Sequence, residues 1–349
     1  MNQQVGKGSL CYAEAPFILS CASVVGTRES EGPLGDAFDM VTEDDKFGQD
    51  NWEAAESSLQ KDALTLAIGK SGYTAKDIRY LFAGDLLGQD IASSFGLKNF
   101  EIPLFGIYGA CSTCGEGLSL ASIAVAGGFA DRVASVTSSH FASAEKQFRF
   151  PLQYANQRPC CATWTVTGSG AFVLGNKDAV KKQKGSPLAQ ITGITTGKIV
   201  DFGIKDSMNM GAAMAPAACN TIVRNLQDFN RNPNYYDRIV TGDLGKVGQE
   251  ILIKLVGEQG YDISGLHEDC GIRIFDNEKQ GTGSGGSGCG CAATTLAAYY
   301  LPRIQSGELK RILFVPTGAL LSPVSFNEGQ SVPGIAHGVV IEHCDEGEA

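Results

Sequence analysis

Cys111 is the residue in this chain best placed to do chemistry. It lies in Gly109-Ala110-Cys111-Ser112, after a predicted strand, Leu104 to Tyr108, and before a predicted small-residue helix, Glu116 to Ala126. A thiol at such a junction meets helix-terminal N–H groups and the positive end of the helix dipole. Together these predict a lowered pKa and a nucleophilic thiolate. The same geometry holds an anionic carboxylate without any bond being made. An inert buried thiol is the third reading. Cys111 and Cys114 also form a C-x-x-C pair. The only matching partner is Cys289-Gly290-Cys291, which lacks zinc spacing, so small-residue packing is expected rather than a metal or redox site.

Other polar residues stand at predicted strand ends, where α/β folds place ligand contacts. His140 follows the predicted strand Val133 to Ser138, and His337 stands at the approach to the last strand. Near neutral pH each could donate to a carboxylate or take a proton from a thiol; the alternative is a structural imidazole bound to backbone. His343 lies beside an acidic tail and reads as solvated. Asp85 and Asp276 are placed at equivalent strand ends. Either could cap its own loop, and Asp85, in the half that carries Cys111, could instead orient a protonated group or meet calcium. Lys146, Arg149 and Arg158 make one loop basic in a chain of net charge −10. An arginine fork suits a small dianion, while solvated charges or interface salt bridges are the plainer reading. The Gly281 to Cys291 loop lacks the Lys-Ser/Thr ending of a phosphate-binding loop. Met208, Met210 and Met214 read as cover for an apolar pocket or as core filler.

The elements that must position these residues follow from periodicity and breakers. Ala15 to Ser20 and Ile78 to Ala83 read as strands; Trp52 to Lys70 reads as a helix stopped at Gly72. A short helix is expected near Asp90 to Phe95. Thr163 to Val166 and Ala171 to Leu174 are expected to pair as strands, and Gly175 to Gly185 reads as a lysine-rich linker. In the second half, Leu188 to Thr195, Gly271 to Phe275, Arg311 to Val315 and Ile335 to Ile341 read as strands. Val247 to Glu258 and Ala292 to Ile304 read as helices, and the methionines fall in a long loop.

The two halves repeat. Gly128 to Val133 matches Gly307 to Ile312, Gly72-Tyr73 matches Gly260-Tyr261, and Cys111 before one helix matches Cys289 or Cys291 before another. A repeat of this length is a duplicated domain of alternating strands and helices. We therefore expect halves at 1–185 and 186–349. The acidic balance argues against nucleic acid. No apolar run approaches the length of a membrane span, and the N-terminus lacks signal-peptide regions. Scattered, odd-numbered cysteines suggest reduced thiols in a cytosol-like compartment. Any membrane role is expected to run through a partner.

Gly109 to Ser112, the loop Gly285 to Cys291 and Gly334 to Gly338 resemble the thiolase superfamily, over about residues 12 to 343. That resemblance implies a duplicated five-layer αβαβα fold with two mixed sheets, a nucleophile position at Cys111, no cofactor or metal, and a homodimer. Ketoacyl synthases of this fold carry a second-half His and then an Asn in a Gly-rich loop. Here His267 is near the first position and Gly286-Ser287 fills the second, so no complete triad is visible and Claisen chemistry is in doubt. Longer strings, Ser139 to Pro151, Asn156 to Pro159, Trp164 to Gly168 and Thr317 to Pro323, strongly resemble a thiolase-like family of sporulation proteins. This second resemblance implies binding of dipicolinic acid or its calcium chelate, and a peripheral place on a channel built by membrane subunits at the spore inner membrane. The expected ligand set is Asp85, Cys111, His140, Lys146, Arg149, Arg158, Ser287 and His337. An active acyltransferase using Cys111 and a purely structural subunit remain the alternatives.

Overall fold

The computed structural model describes residues 3–148 and 158–344. Arg149, one of the basic candidates, lies outside the described residues. Ten strands carry the architecture. The first five are β1 (Phe17–Val25), β2 (Tyr80–Gly84), β3 (Leu104–Gly106), β4 (Arg132–Ser139) and β5 (Gly168–Gly175). The second five are β6 (Ala189–Thr195), β7 (Arg238–Thr241), β8 (His267–Asp269), β9 (Arg311–Val315) and β10 (Gly338–Glu342). Their order is β3-β2-β4-β5-β1 in one block and β8-β7-β9-β10-β6 in the other. Position for position the orders are the same. In each block the first three strands run parallel and the fourth is antiparallel to both its neighbours. The blocks meet where Phe17 and Ile18 pair with Gln190 and Ala189.

Helices fill the layers. α1 (Trp52–Ser71) covers the outer face of the first block, capped by the Asn51 side chain, which accepts from the Ala54 N–H at 2.9 Å, and ended by Gly72 at φ 78°. Left-handed backbone is open to glycine at no steric cost, which is why the helix stops there. α2 (Thr113–Ala126) and α3 (Phe141–Phe148) follow β3 and β4. In the second half come α4 (Met210–Asp228), α5 (Gly245–Glu258) and α6 (Cys289–Thr295). α2 and α6 touch each other and lie between the two blocks. That central position explains the small residues of α2. A Cβ on Gly115 would stand 2.9 Å from the His337 carbonyl oxygen, and one on Gly117 would stand 2.5 Å from Ser135 Oγ. Three large apolar cores are seen among the described residues, one between the blocks and one under each outer helix layer, and a small fourth cluster of Leu86, Ala110, Ala144 and Cys289 lies beside the Cys111 turn.

Several predicted elements differ. Gly271 to Phe275 is not a strand. Asp269 accepts the Ile272 N–H at 3.2 Å and starts a short helix, Cys270–Ile274. The expected loop around the methionines contains the helix α4, with Pro216 inside it, and the strand β7 follows. Trp164–Thr165 pairs with Gly286–Ser287 of the second half rather than with its sequence neighbours. The last predicted strand is broken at His337 into Gly334–Ala336 and β10. Asp276 is therefore not the counterpart of Asp85. The residue that follows the equivalent strand is Asp243, in Gly242-Asp243-Leu244, which repeats Gly84-Asp85-Leu86.

Candidate functional site

The turn carrying Cys111 is fixed by its own side chains. Ser112 Oγ donates to the Gly109 carbonyl at 2.7 Å, Thr113 Oγ1 donates to the Ala110 carbonyl at 2.6 Å, and the Gly109 N–H donates to Thr113 Oγ1 at 3.0 Å. Ala110 is held at φ 52°, a conformation that costs a residue with a Cβ about 1 kcal/mol or more. The strand Thr317–Ala319 presses on this turn. A Cβ on Gly318 would lie 2.1 Å from the Gly109 carbonyl oxygen. The result is a thiol aimed inward, 7% exposed, with Sγ 3.6 Å from Ser287 Oγ.

A cavity of about 30 Å³ opens over Cys111, lined among others by Leu86, Tyr108, Thr165, Met210, Ser287 and Leu321. That is roughly the room of one water. None of the four histidines lines it. Burial pushes the Cys111 thiol up to about 12, the nearby Asp243 carboxyl adds to the rise, and the Ser287 hydroxyl pulls it slightly back. The expected lowering by the helix terminus is therefore overturned: desolvation outweighs the dipole. At pH 7 the thiol form is favoured over the thiolate.

Asp243 is the residue that sequence reading missed. It is fully buried, its Oδ2 accepts the Thr317 N–H at 3.3 Å, and its Oδ1 has no partner among the described residues. Burial, then the neighbouring Asp269, holds its pKa well above the ordinary carboxylate value. The repeated Gly-Asp-Leu was the signal that could have found it.

Of the predicted ligand set, the structure brings Cys111 and Ser287 together on the cavity. Met210, from the methionine cluster, joins them, whereas Met214 is core. Asp85 is buried one residue before Leu86, and its carboxylate is occupied by the Leu87 N–H at 2.8 Å and by the Ser93 N–H and Oγ at 2.8 and 2.7 Å. His140 faces the other way. Its Nε2 donates to the Asp45 carbonyl at 2.7 Å, its Nδ1 accepts the Ala142 N–H at 3.1 Å, and Trp52 and Phe47 cover the ring. His337 Nδ1 accepts the Gly197 N–H at 3.4 Å, and burial lowers its pKa to about 4. His267 is held between Thr241 Oγ1 and Gln249 Nε2, each at 3.0 Å. Lys146 pairs with Glu53 at 3.3 Å, and Arg158 donates to the Thr163 carbonyl at 3.1 Å. No cluster of potential metal ligands occurs among the described residues.

A duplicated mixed-sheet pair with a cysteine turn at the centre is the thiolase fold, and known structures agree. OleA of Xanthomonas campestris with cerulenin bound superposes with a TM-score of 0.58 at 14% identity, covering 95% of this chain and 97% of that one. Human mitochondrial 3-ketoacyl-CoA thiolase gives 0.57 at 13%, covering 95% and 99%, and 3-oxoacyl-[acyl-carrier-protein] synthase III of Aquifex aeolicus VF5 gives 0.55 at 12%, covering 94% and 100%. The family model for stage V sporulation protein AD matches residues 6–342, and the protein of that name from Bacillus subtilis (strain 168) is 42% identical over 339 residues, covering 97% of this chain and 98% of its own length. The chain belongs to the stage V sporulation protein AD family.

Proposed function

We propose that this protein binds dipicolinic acid, or its calcium chelate, at the Cys111 cavity without covalent chemistry, and passes it to a channel made by membrane subunits. The observation that carries this reading is a buried thiol beside Ser287 in a cavity that no imidazole lines. An acyltransferase needs a thiolate and a base to make one. A neutral thiol, a hydroxyl and the Gly288 backbone supply hydrogen-bonding groups for a carboxylate instead. A cavity of about 30 Å³ cannot hold a pyridine dicarboxylate as it stands. Entry requires Met210 and the partly exposed Leu321 to swing off the mouth. No helix among the described residues is long and apolar enough to cross a membrane, which suits a peripheral role.

The homodimer belongs to the same proposal. β3 is an edge strand with Leu104 42% and Phe105 52% exposed, and Tyr108 beyond it is 50% exposed. An unpaired apolar edge is a template for pairing with a second copy. The experiment is to measure the dipicolinate content of spores carrying Leu321→Trp, which plugs the mouth. Content falling to a small fraction of wild type at normal protein level supports the reading. Unchanged content would leave the purely structural subunit as the better account.

A further inference from the structure

α1 keeps one face out of the apolar cores. Ala54, Ser57, Ser58 and Lys61 recur at the spacing that puts side chains on one side of a helix. Together they line a cleft of about 540 Å³. The opposite wall is the short helix Ile91–Leu97, which contributes Ile91, Phe95 and Gly96. Gly96 lets the two walls meet, since a Cβ there would stand 2.4 Å from the Ser57 carbonyl oxygen. Phe95 is 60% exposed, and Lys98 Nζ lies 4.9 Å from its ring centroid.

Charge and hydrogen bonding select what fits. Glu53, the one acidic residue lining the cleft, is already answered by Lys146 at 3.3 Å. Lys61, the one basic residue lining it, stands 3.7 Å from its neighbour Asp62 on the exposed surface, a pairing worth little. The hydroxyls of Ser57 and Ser58 and the Asn99 amide also border the cleft, with no side-chain hydrogen bond among the described residues. The floor is apolar, made by Ala54, Ile91, Phe95 and Gly96. A cleft of this size, with an apolar lining and a few polar groups to fix orientation, has the makeup of a small-molecule site.

We propose that this cleft binds a flat aromatic acid with more than one ring, a body far too large for the cavity of about 30 Å³ over Cys111. The ring system stacks on the exposed face of Phe95. The acidic group pairs with Lys61 and Lys98, and Ser57, Ser58 and Asn99 supply the remaining polar contacts.

The probe is 1-anilinonaphthalene-8-sulfonate, a multi-ring sulfonate whose fluorescence rises as it leaves water. Wild type should give a saturable one-to-one rise. Lys61→Glu should raise the midpoint about tenfold or more, and Ser57→Trp, which fills the cleft, should abolish the signal. Far-UV circular dichroism checks that both variants fold, and Lys61→Glu decides alone if Ser57→Trp does not. Leu321→Trp and Phe105→Glu should leave the midpoint unchanged. The proposal is overturned by no saturable rise in wild type, by a midpoint unmoved in Lys61→Glu, or by a signal that survives in folded Ser57→Trp. Loss of the signal in Leu321→Trp or in Phe105→Glu would also overturn it, assigning the dye to the Cys111 cavity or to the apolar β3 edge.

Discussion

Glu56→Gln should make the folded protein less sensitive to rising pH. Glu56 lies in α1 with its carboxyl fully buried, accepting Ser138 Oγ at 2.8 Å and Ser143 Oγ at 2.5 Å. Burial, followed by the nearby Asp85, raises its pKa to about 8. The folded chain thus keeps a proton that the unfolded chain gives up in the ordinary carboxylic range. Stability conferred by that proton is lost as pH rises toward 8. Three buried histidines act in the opposite sense: burial lowers His140, and lowers His267 and His337 to about 4. Their contribution is lost as pH falls below about 6.5, where the unfolded chain takes up protons. From pH 6.5 to 7.5 the unfolded chain still gives up part of their protons, but this contribution is the same in wild type and Glu56→Gln and cancels between them. One retained proton costs about 1.4 kcal/mol per pH unit. From pH 6.5 to 7.5, wild type should therefore lose about 1 kcal/mol through Glu56, and Glu56→Gln, which mimics the protonated acid, should not. Urea unfolding at the two pH values measures the difference. The reasoning fails if Glu56→Gln has the same pH dependence as wild type over that interval.

Three further outcomes follow from packing and burial. Iodoacetamide at pH 7.5 should label the exposed Cys11 and Cys160 long before Cys111, by mass mapping of peptides; early labelling of Cys111 would mean a thiolate and revive the acyltransferase. Leu59→Ala, which empties a fully buried position of α1, should cost about 2–5 kcal/mol in urea unfolding; a loss below about 1 kcal/mol would mean that α1 does not pack there as described. The proposed homodimer predicts that wild type sediments as a dimer and Phe105→Glu, on the β3 edge, as a folded monomer; a monomeric wild type would contradict it, and an unchanged dimer in the variant would move the interface elsewhere.

The duplicated fold was legible because its breakers are residue-specific. Gly128 and Gly307 hold φ 74° and 78° at matching places, before β4 and β9, and the small residues of α2 record a helix squeezed between sheets; the expected match of Gly72 with Gly260 fails, because Gly72 precedes β2 whereas Gly260 precedes β8, the counterpart of β3. α4 was hidden by Pro216 and by alanines that blur any apolar stripe, and β7 is only four residues long. Cys111 could be found because a cysteine between strand and small-residue helix is a local pattern. Its protonation state could not, since that depends on Ser287, Asp243 and the pressing strand at Gly318, all remote in sequence. His140 shows the same limit. Its position after β4 is written in the chain, but its direction is set by the Asp45 carbonyl, some ninety residues earlier.

The central claim is non-covalent recognition of dipicolinate at Cys111, and calorimetric titration tests it most directly. Purified wild type and Cys111→Ala would each be titrated with dipicolinate, with and without calcium. The account predicts saturable one-to-one binding by wild type that persists in Cys111→Ala with weakened affinity, since the thiol contributes one contact and no bond. Absence of binding by the wild-type protein under both conditions would contradict it.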